Sequence, residues 1–362
     1  MEKIPRTMRA VVYRGVNDLR LEMVPVPRIG PDELLVRVAA CGVCPTDIKK
    51  IQSGALPPPR IFGHETAGVI ALAGARVRKL RVGERVALHH HVPCRDCHAC
   101  RHRAFAQCAQ YKRTGITAGF EPAGGGYAEY VRVLPFVFPG IVRIPSGNTF
   151  EEGAMLEPVN TVLKAINRLA LLPGDQVLVT GQGPIGLLFT RLLSLQGMKV
   201  IASDLLAPRL RMARQFGAVS AVHGADEQFA RSVRRATGKK GLDAAVICAP
   251  ADAGVRQAQE LVHGAGKVLL FAHTHRGAAT SVDLASICTD EKDLIGSYSS
   301  DVTLQPSAAH WVFSRKLDVR RLITHRFPLE QTPAAVALAA RPSADSLKVM
   351  VMPSVETACP KH

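Results

Sequence analysis

The 362-residue sequence predicts an α/β protein in two parts. A β-rich module covers about the first 150 residues, and a doubly wound parallel sheet flanked by helices follows. Three observations carry this expectation. The early part holds short β-like runs bounded by glycine and proline. The later part alternates β-branched runs with helical stretches. A glycine loop stands between the first strand and the first helix of that later part.

In the early part the runs are "RAVVYRG", "ELLVRVAA", "ETAGVIALAG" and "YAEYVRVL". Each is closed by turn formers, which favours a small all-β module over helices. From "GDQVLVTGQG" onward the texture changes. "QVLVT" precedes a helix through "IGLLFTRLLSLQG", then come "KVIASD", a helix through "APRLRMARQFGA", "LDAAVICA" and "GKVLLFAH". Strands separated by helices of about 10–15 residues build βαβ units and a parallel sheet. After residue 296 the alternation loosens. The sequence has no internal repeat and no low-complexity tract.

Composition excludes several classes. Hydrophobic residues make up 47% and charged residues 21%, an ordinary globular balance with material for a core. The first residues lack the apolar stretch of a signal peptide, and no run approaches the ~18 apolar residues that span a bilayer. Nine cysteines in that setting predict a reducing, cytoplasmic location, where clustered thiols bind metal more often than they pair. The net charge of +16 raises nucleic acid as a partner, but the basic residues in "RVRKLRVGER" and "RSVRRATGKK" are dispersed. They have no interleaved aromatic residues on which bases would stack. The charge is read as a solvated basic surface.

"GQGPIG" places Gly181, Gly183 and Gly186, with Pro184 and Ile185 between the last two, directly after the strand "QVLVT". The first glycine permits a tight turn, the second lets the backbone approach a pyrophosphate, and the third lets helix pack on strand. The free N–H groups of the following helix face the phosphates. The next strand ends at Asp204, whose carboxylate suits the adenosine ribose hydroxyls and repels a 2′-phosphate. NAD is therefore the expected cofactor, although Arg209 nearby is able to accommodate NADP.

Cys94, Cys97, Cys100 and Cys108 lie at gaps of two, two and seven residues in "CRDCHACRHRAFAQC". Four thiolates make a closed structural zinc site. An iron–sulfur run would bring its fourth cysteine after three residues and follow it with proline, whereas Ala109 follows here. His98 and His102 are read as loop surface. A second, scattered set comprises Cys41 and Cys44 in "CGVCPTD", His64 and Glu65 in "GHE", and Glu157 in "LEP". Mixed thiolate, imidazole and carboxylate ligands are those of a catalytic zinc, but spacing alone does not assemble them.

Taken in order, "CGVCPTD", "GHE", the four-cysteine lobe, "GGGYAEY", "LEP" and "GQGPIG" resemble the zinc-dependent medium-chain dehydrogenases, in the polyol and threonine dehydrogenase branch, over nearly the whole chain. The resemblance implies a GroES-like catalytic domain with both zincs over residues 1–155, a Rossmann NAD-binding domain over 156–295, and a segment 296–362 that returns to the catalytic domain. It implies Cys44 and His64 as catalytic zinc ligands, with Glu65 and Glu157 ligating the metal or holding its water, and Cys41 buried nearby. Asp47 takes the place of the carboxylate that orients the zinc histidine. Ile185, Asp204 and Arg209 match cofactor contacts, and Gly296, Ser297 and Tyr298 match a segment near the nicotinamide.

The implied activity is hydride transfer between a secondary alcohol, polyol-like or a related hydroxy compound, and NAD, with Thr46 passing the proton outward and zinc activating the oxygen. A homo-oligomer, dimer or tetramer, is implied as well. Pro45 and Lys49 depart from the branch pattern, where glycine and histidine are common, so the relay beyond Thr46 is open. The alternatives are an NADP-preferring alcohol dehydrogenase and a non-enzymatic zinc- and NAD-binding regulator.

Overall fold

The computed structural model describes residues 4–121, 124–238, 240–249, 252–272, 277 and 279–353. Residues 354–362, the end of the C-terminal segment expected from the sequence, lie outside the described residues. The chain divides into two compact units, residues 1–160 with 300–362, and residues 161–299.

The first unit is built on a β-sheet centred on Leu34–Gly42. That strand pairs antiparallel with Glu65–Ala73 on one side and with Lys348–Met352 and Tyr130–Val133 on the other. Its apolar residues Leu34, Val36, Val38 and Cys41 are buried in the main core, together with Ile70, Val131 and Val351. In this register Gly42 lies opposite Glu65 on one neighbour and Met350 on the other. Two acts of pairing therefore bring residues from the beginning and the end of the chain to one spot.

The module is not all-β as expected. Immediately after the central strand the chain enters a helix, Pro45–Ser53. Proline at the first helical position loses no hydrogen bond, because that N–H has no partner inside a helix. Ile48 and Ile51 fall on one face and are buried, and Gly54 ends the helix in the left-handed conformation at φ 66°. The "PTD" that helped identify the cysteine motif is thus also a helix start. A later helical stretch, Phe150–Ala154, is opened by a capping box in which Thr149 accepts from the Glu152 N–H and the Glu152 carboxylate accepts from the Thr149 N–H.

The second unit carries a six-stranded parallel sheet in the order Ser220–His223, Lys199–Asp204, Gln176–Thr180, Leu242–Ile247, Val262–Leu270 and Asp293–Gly296. This is the doubly wound order that reverses direction beside the first strand, Gln176–Thr180. Val177, Leu178 and Val179 are consecutive and all buried, as a strand covered on both faces requires. The helices Pro184–Leu195 and Ala207–Gln215 occupy the two expected helical stretches.

At the other end of this sheet His263 ties three strands together. Its Nε2 pairs with Asp243 Oδ1 at 2.9 Å and its Nδ1 with the Gly264 carbonyl at 2.5 Å, while Asp243 Oδ2 accepts from the Gln176 N–H at 2.7 Å. Both ring nitrogens donate only in the imidazolium form. The Gly264 carbonyl, and after it Asp243, raise the His263 pKa above the ordinary 6.5. A pKa raised by folding means a contribution that is full below the unfolded value and is lost as pH climbs through the folded one. The urea midpoint of the unaltered chain should therefore exceed that of His263→Gln by more at about pH 6 than at about pH 8.5. An equal gap at both would show that the imidazolium is not part of the fold.

Candidate functional site

The four-cysteine lobe is the simpler of two thiol-bearing clusters. Cys97 Sγ lies 3.6 Å from Cys100 Sγ, Cys108 Sγ 3.6 Å from Cys94 Sγ, and Cys94 Sγ 3.8 Å from Cys100 Sγ. Four sulfurs each about 2.3 Å from one centre stand about 3.8 Å apart at tetrahedral angles, so the spacing fits zinc. It is far beyond the roughly 2 Å of a disulfide. The Cys94 N–H points at Cys108 Sγ and the Cys97 N–H at Cys94 Sγ, each at 3.4 Å. Burial works against a charge on Cys108, but the Cys94 and Tyr111 amides and the Cys94 and Cys100 thiols outweigh it and bring the thiol down to about 6. Burial, and after it the Cys97, Cys108 and Cys94 thiols, push Cys100 up to about 12. Four thiols this close ionise together only around a cation. His98 and His102 are exposed, as a loop surface should be.

The second cluster is assembled from distant segments. Cys44 caps the helix Pro45–Ser53, and Asp47 stands buried in that helix's first turn. Asp47 Oδ2 accepts from the Gly63 N–H at 3.2 Å, and Oδ1 lies 2.9 Å from His64 Nδ1. An ionised carboxylate only accepts, so His64 Nδ1 carries a proton and donates to Asp47, which leaves Nε2 as the nitrogen that would bind a metal once its own proton is gone. Ligand atoms of Cys44, His64 and Glu65 lie within 4.8 Å of one another. Burial disfavours the charged imidazole, yet Asp47 and Cys44 raise the His64 pKa well above 6.5. Thiolate, imidazole and carboxylate in one pocket suit zinc.

Glu157 lies in the first turn of Leu156–Leu169, outside this trio but within electrostatic range of His64, Glu65 and Lys348. Burial pushes its carboxyl up to about 7. Thr46 follows Pro45, half-buried, in the first turn of the helix. Cys41 is fully buried beside Thr66, with its thiol pushed up to about 12 by burial, and is not one of the trio.

Two features escaped the sequence reading. Lys348, from the last strand, is buried and ion-paired with Glu65 Oε2. A lone lysine in the apolar run "LKVMVM" was its only signal. The run His89-His90-His91 precedes the cysteine lobe, and the His90 ring centre is 4.9 Å from that of His64. Burial pushes His89 down to about 4 and His91 to about 3, so both are neutral near pH 7.

In the second unit the glycine loop joins the first strand to the helix Pro184–Leu195. Gly181 has φ 80°, a conformation that favours glycine. A Cβ on Gly186 would collide with the Gly181 carbonyl, whereas a Cβ on Gly183 would meet nothing within 4 Å. The loop is thus tight on its inner side and open at the helix N-terminus, the form a pyrophosphate needs. Ile185 lies in the first turn of that helix. Asp204, ending the second strand, accepts from the Gln182 N–H at 2.6 Å and the Leu206 N–H at 2.8 Å. Arg209 Nη1 is 3.9 Å from Asp204 Oδ2. Gly296 ends the sixth strand, the Ser297 N–H donates to the Leu270 carbonyl, and Tyr298 is exposed.

Residues 30–145 match the family described as the alcohol dehydrogenase GroES-like domain, and residues 184–314 the zinc-binding dehydrogenase family. The chain is 30% identical to a sorbitol dehydrogenase of Bombyx mori over 94% of its own length and 97% of that protein. It is 29% identical to a sorbitol dehydrogenase of Bacillus subtilis (strain 168) over 97% and 99%. A zinc-binding dehydrogenase from Sinorhizobium meliloti 1021, solved bound to NADP, superposes with a TM-score of 0.86 at 28% identity, over 96% of this chain and 99% of that one. The chain belongs to the zinc-dependent medium-chain dehydrogenase family, in its polyol branch.

Two outcomes follow from this geometry. Freshly purified protein should hold two zinc ions per chain by elemental analysis, and Cys97→Ser should lose one of them together with thermal stability; a count of one in the unaltered chain overturns this. Asp47→Asn keeps the shape of the side chain but weakens its hold on His64, and should lower zinc affinity or turnover by about 10–100-fold. Unchanged values would mean that the pair does not orient the ligand.

Proposed function

We propose that the chain oxidises a secondary alcohol on a polyol-like molecule with NAD as hydride acceptor, and reduces the matching ketone in reverse. The observation that carries this reading is the convergence of Cys44, His64 and Glu65 in one buried pocket, apart from the four-cysteine lobe. A regulator that bound zinc and NAD without catalysis would need only the lobe and the glycine loop. The sorbitol dehydrogenases among the relatives, and the D-xylulose reductase of Saccharomyces cerevisiae at 29% identity, support a polyol-like substrate.

The division of labour follows from the site. Cys44 and His64 hold the zinc, Asp47 fixes the imidazole, and Glu65 and Glu157 supply carboxylates that ligate it or hold its water. The zinc, when bound, acts as a Lewis acid that lowers the pKa of an alcohol oxygen or polarises a carbonyl. Thr46 passes the hydroxyl proton outward. The open face of Gly183 receives the pyrophosphate, and the N-terminus of Pro184–Leu195 supplies N–H groups to it. Cys44→Ser should abolish turnover while leaving the circular dichroism spectrum unchanged; a variant that retains turnover places the chemistry elsewhere.

NAD preference rests on Asp204, which would face a 2′-phosphate with its own charge. Asp204→Ala should narrow the ratio of NAD to NADP specificity constants by about tenfold, equivalent to about 1.4 kcal/mol. The second reading, NADP preference, draws on Arg209 beside Asp204 and on the NADP-bound relative. A higher kcat/KM with NADP in the unaltered chain would establish it.

Lys49 is exposed and Lys50 partly so, next to the cysteine motif, and a phosphate or carboxylate on the substrate is proposed to pair with one of them. If so, Lys49→Ala or Lys50→Ala slows turnover of sugar-alcohol phosphates or hydroxy acids and spares neutral polyols, more at low salt than at high. Faster turnover of neutral polyols by the unaltered chain, with selectivity unmoved in both variants, leaves a plain alcohol dehydrogenase. A cytoplasmic homo-oligomer, dimer or tetramer, completes the proposal; the clustered thiols, at metal-ligand rather than disulfide spacing, favour a reducing compartment. Among the described residues no helix is long and apolar enough to cross a membrane.

A further inference from the structure

The glycine loop is tied to its helix by a fully buried polar pair, Gln182 and Thr190. Gln182 stands between the first two glycines of "GQGPIG", where the fingerprint itself specifies no residue. Its side chain turns inward. Gln182 Nε2 donates to the Val179 carbonyl at 2.8 Å, and Thr190 Oγ1, inside the helix Pro184–Leu195, donates to Gln182 Oε1 at 2.9 Å. The Gln182 N–H meets Asp204 Oδ2 at 2.6 Å. One residue therefore fastens the loop to the first strand, the second strand and the following helix.

Such an arrangement is destabilising unless it is complete. A buried amide that lacks either partner bears the full cost of its lost hydration, whereas an apolar side chain of similar size fills the space with no bonding requirement. What the amide adds over an apolar residue is direction. The glycines on either side supply none, since glycine loses more conformational freedom on ordering than any other residue. The Gly181 N–H is itself held by the Ser203 carbonyl at 2.7 Å, and beyond Gly183 the surface is open. We infer that Gln182, held by Thr190, is a positioning residue that orders the glycine loop before the cofactor arrives. The N–H groups at the start of Pro184–Leu195 then already face the pyrophosphate. A loop ordered during folding does not have to be ordered by the ligand, and affinity rises accordingly.

This inference rests on the reading that the glycine loop holds the pyrophosphate, and Gly183→Val tests that reading by itself. A Cβ there meets nothing in the free protein but would stand where the pyrophosphate is received. NADH bound by Gly183→Val as tightly as by the unaltered chain defeats the reading. With that reading standing, the Kd of NADH is measured by fluorescence titration of the zinc-loaded unaltered chain, Gln182→Met, Thr190→Val, Thr190→Ser and the double variant Gln182→Met with Thr190→Val. The thermal midpoint of each is recorded without cofactor, and binding is measured well below it. Gln182→Met and Thr190→Val should each raise the Kd about tenfold, because the ligand must then order the loop. The double variant should bind no more weakly than the weaker single one, since both remove the same link. Thr190→Ser keeps the hydroxyl and loses a buried methyl, so its thermal midpoint should fall while its affinity for NADH stays that of the unaltered chain. Affinity unchanged in both Gln182→Met and Thr190→Val, or lost as much in Thr190→Ser as in Thr190→Val, overturns the inference. So do losses that add in the double variant. Thr190→Val and Thr190→Ser decide it if Gln182→Met does not fold.

Discussion

The geometry of the mixed cluster in the first unit depends on one buried hydrogen bond, that between Asp47 and His64. Asp47 belongs to a helix that starts where the central strand stops, and His64 immediately precedes the next strand. The carboxylate binds the imidazole with one oxygen and the Gly63 N–H with the other, so helix and strand entry are locked in a single geometry. Loss of the aspartate would free the ring to rotate and the tautomer to change, and the lone pair of Nε2 would lose its direction. Cys44, three residues before Asp47, is carried by the same helix turn. The proposed ligand set is therefore held by the backbone around it, and a metal would add to an arrangement largely in place.

Buried charge is the recurring cost of such a site. Asp47, Glu65 and Lys348 are each nearly inaccessible to water, and each has an opposite partner. Removing one member of a buried pair typically costs about 3–5 kcal/mol, because the other is left uncompensated. The histidine run is managed differently. His89 and His91 are driven to the neutral form by burial, so they add ring surface beside the metal pocket without adding charge. The four-cysteine lobe follows a third course, in which four thiols with little core of their own, mainly Ala106 and Tyr111, would gain cohesion from a bound cation.

In the second unit the constraint is steric. Gly186 lets the Gly181 carbonyl sit against the start of the helix, and the Asp204 carboxylate braces the loop by accepting from the Gln182 N–H. The acid expected to meet the ribose is thus also a fastening of the glycine loop. Substitutions there report on both roles, which is why its effect is best read as a ratio between two cofactors.

Local spacing determined much of this protein. The four-cysteine lobe, the glycine loop and the alternating strands and helices were legible because each is set by neighbours within about twenty residues. The helix Pro45–Ser53 was missed although its signals were present, since proline and aspartate at a helix start also look like a turn. What only the tertiary structure decided is the pocket of Cys44, His64, Glu65 and Lys348. Strand register, not sequence proximity, sets Lys348 against Glu65, and hydrogen bonding between backbones leaves no periodicity in the side chains of the two distant segments it joins. A lysine in an apolar strand has meaning only once the strand beside it, and the glycine that leaves room between them, are known.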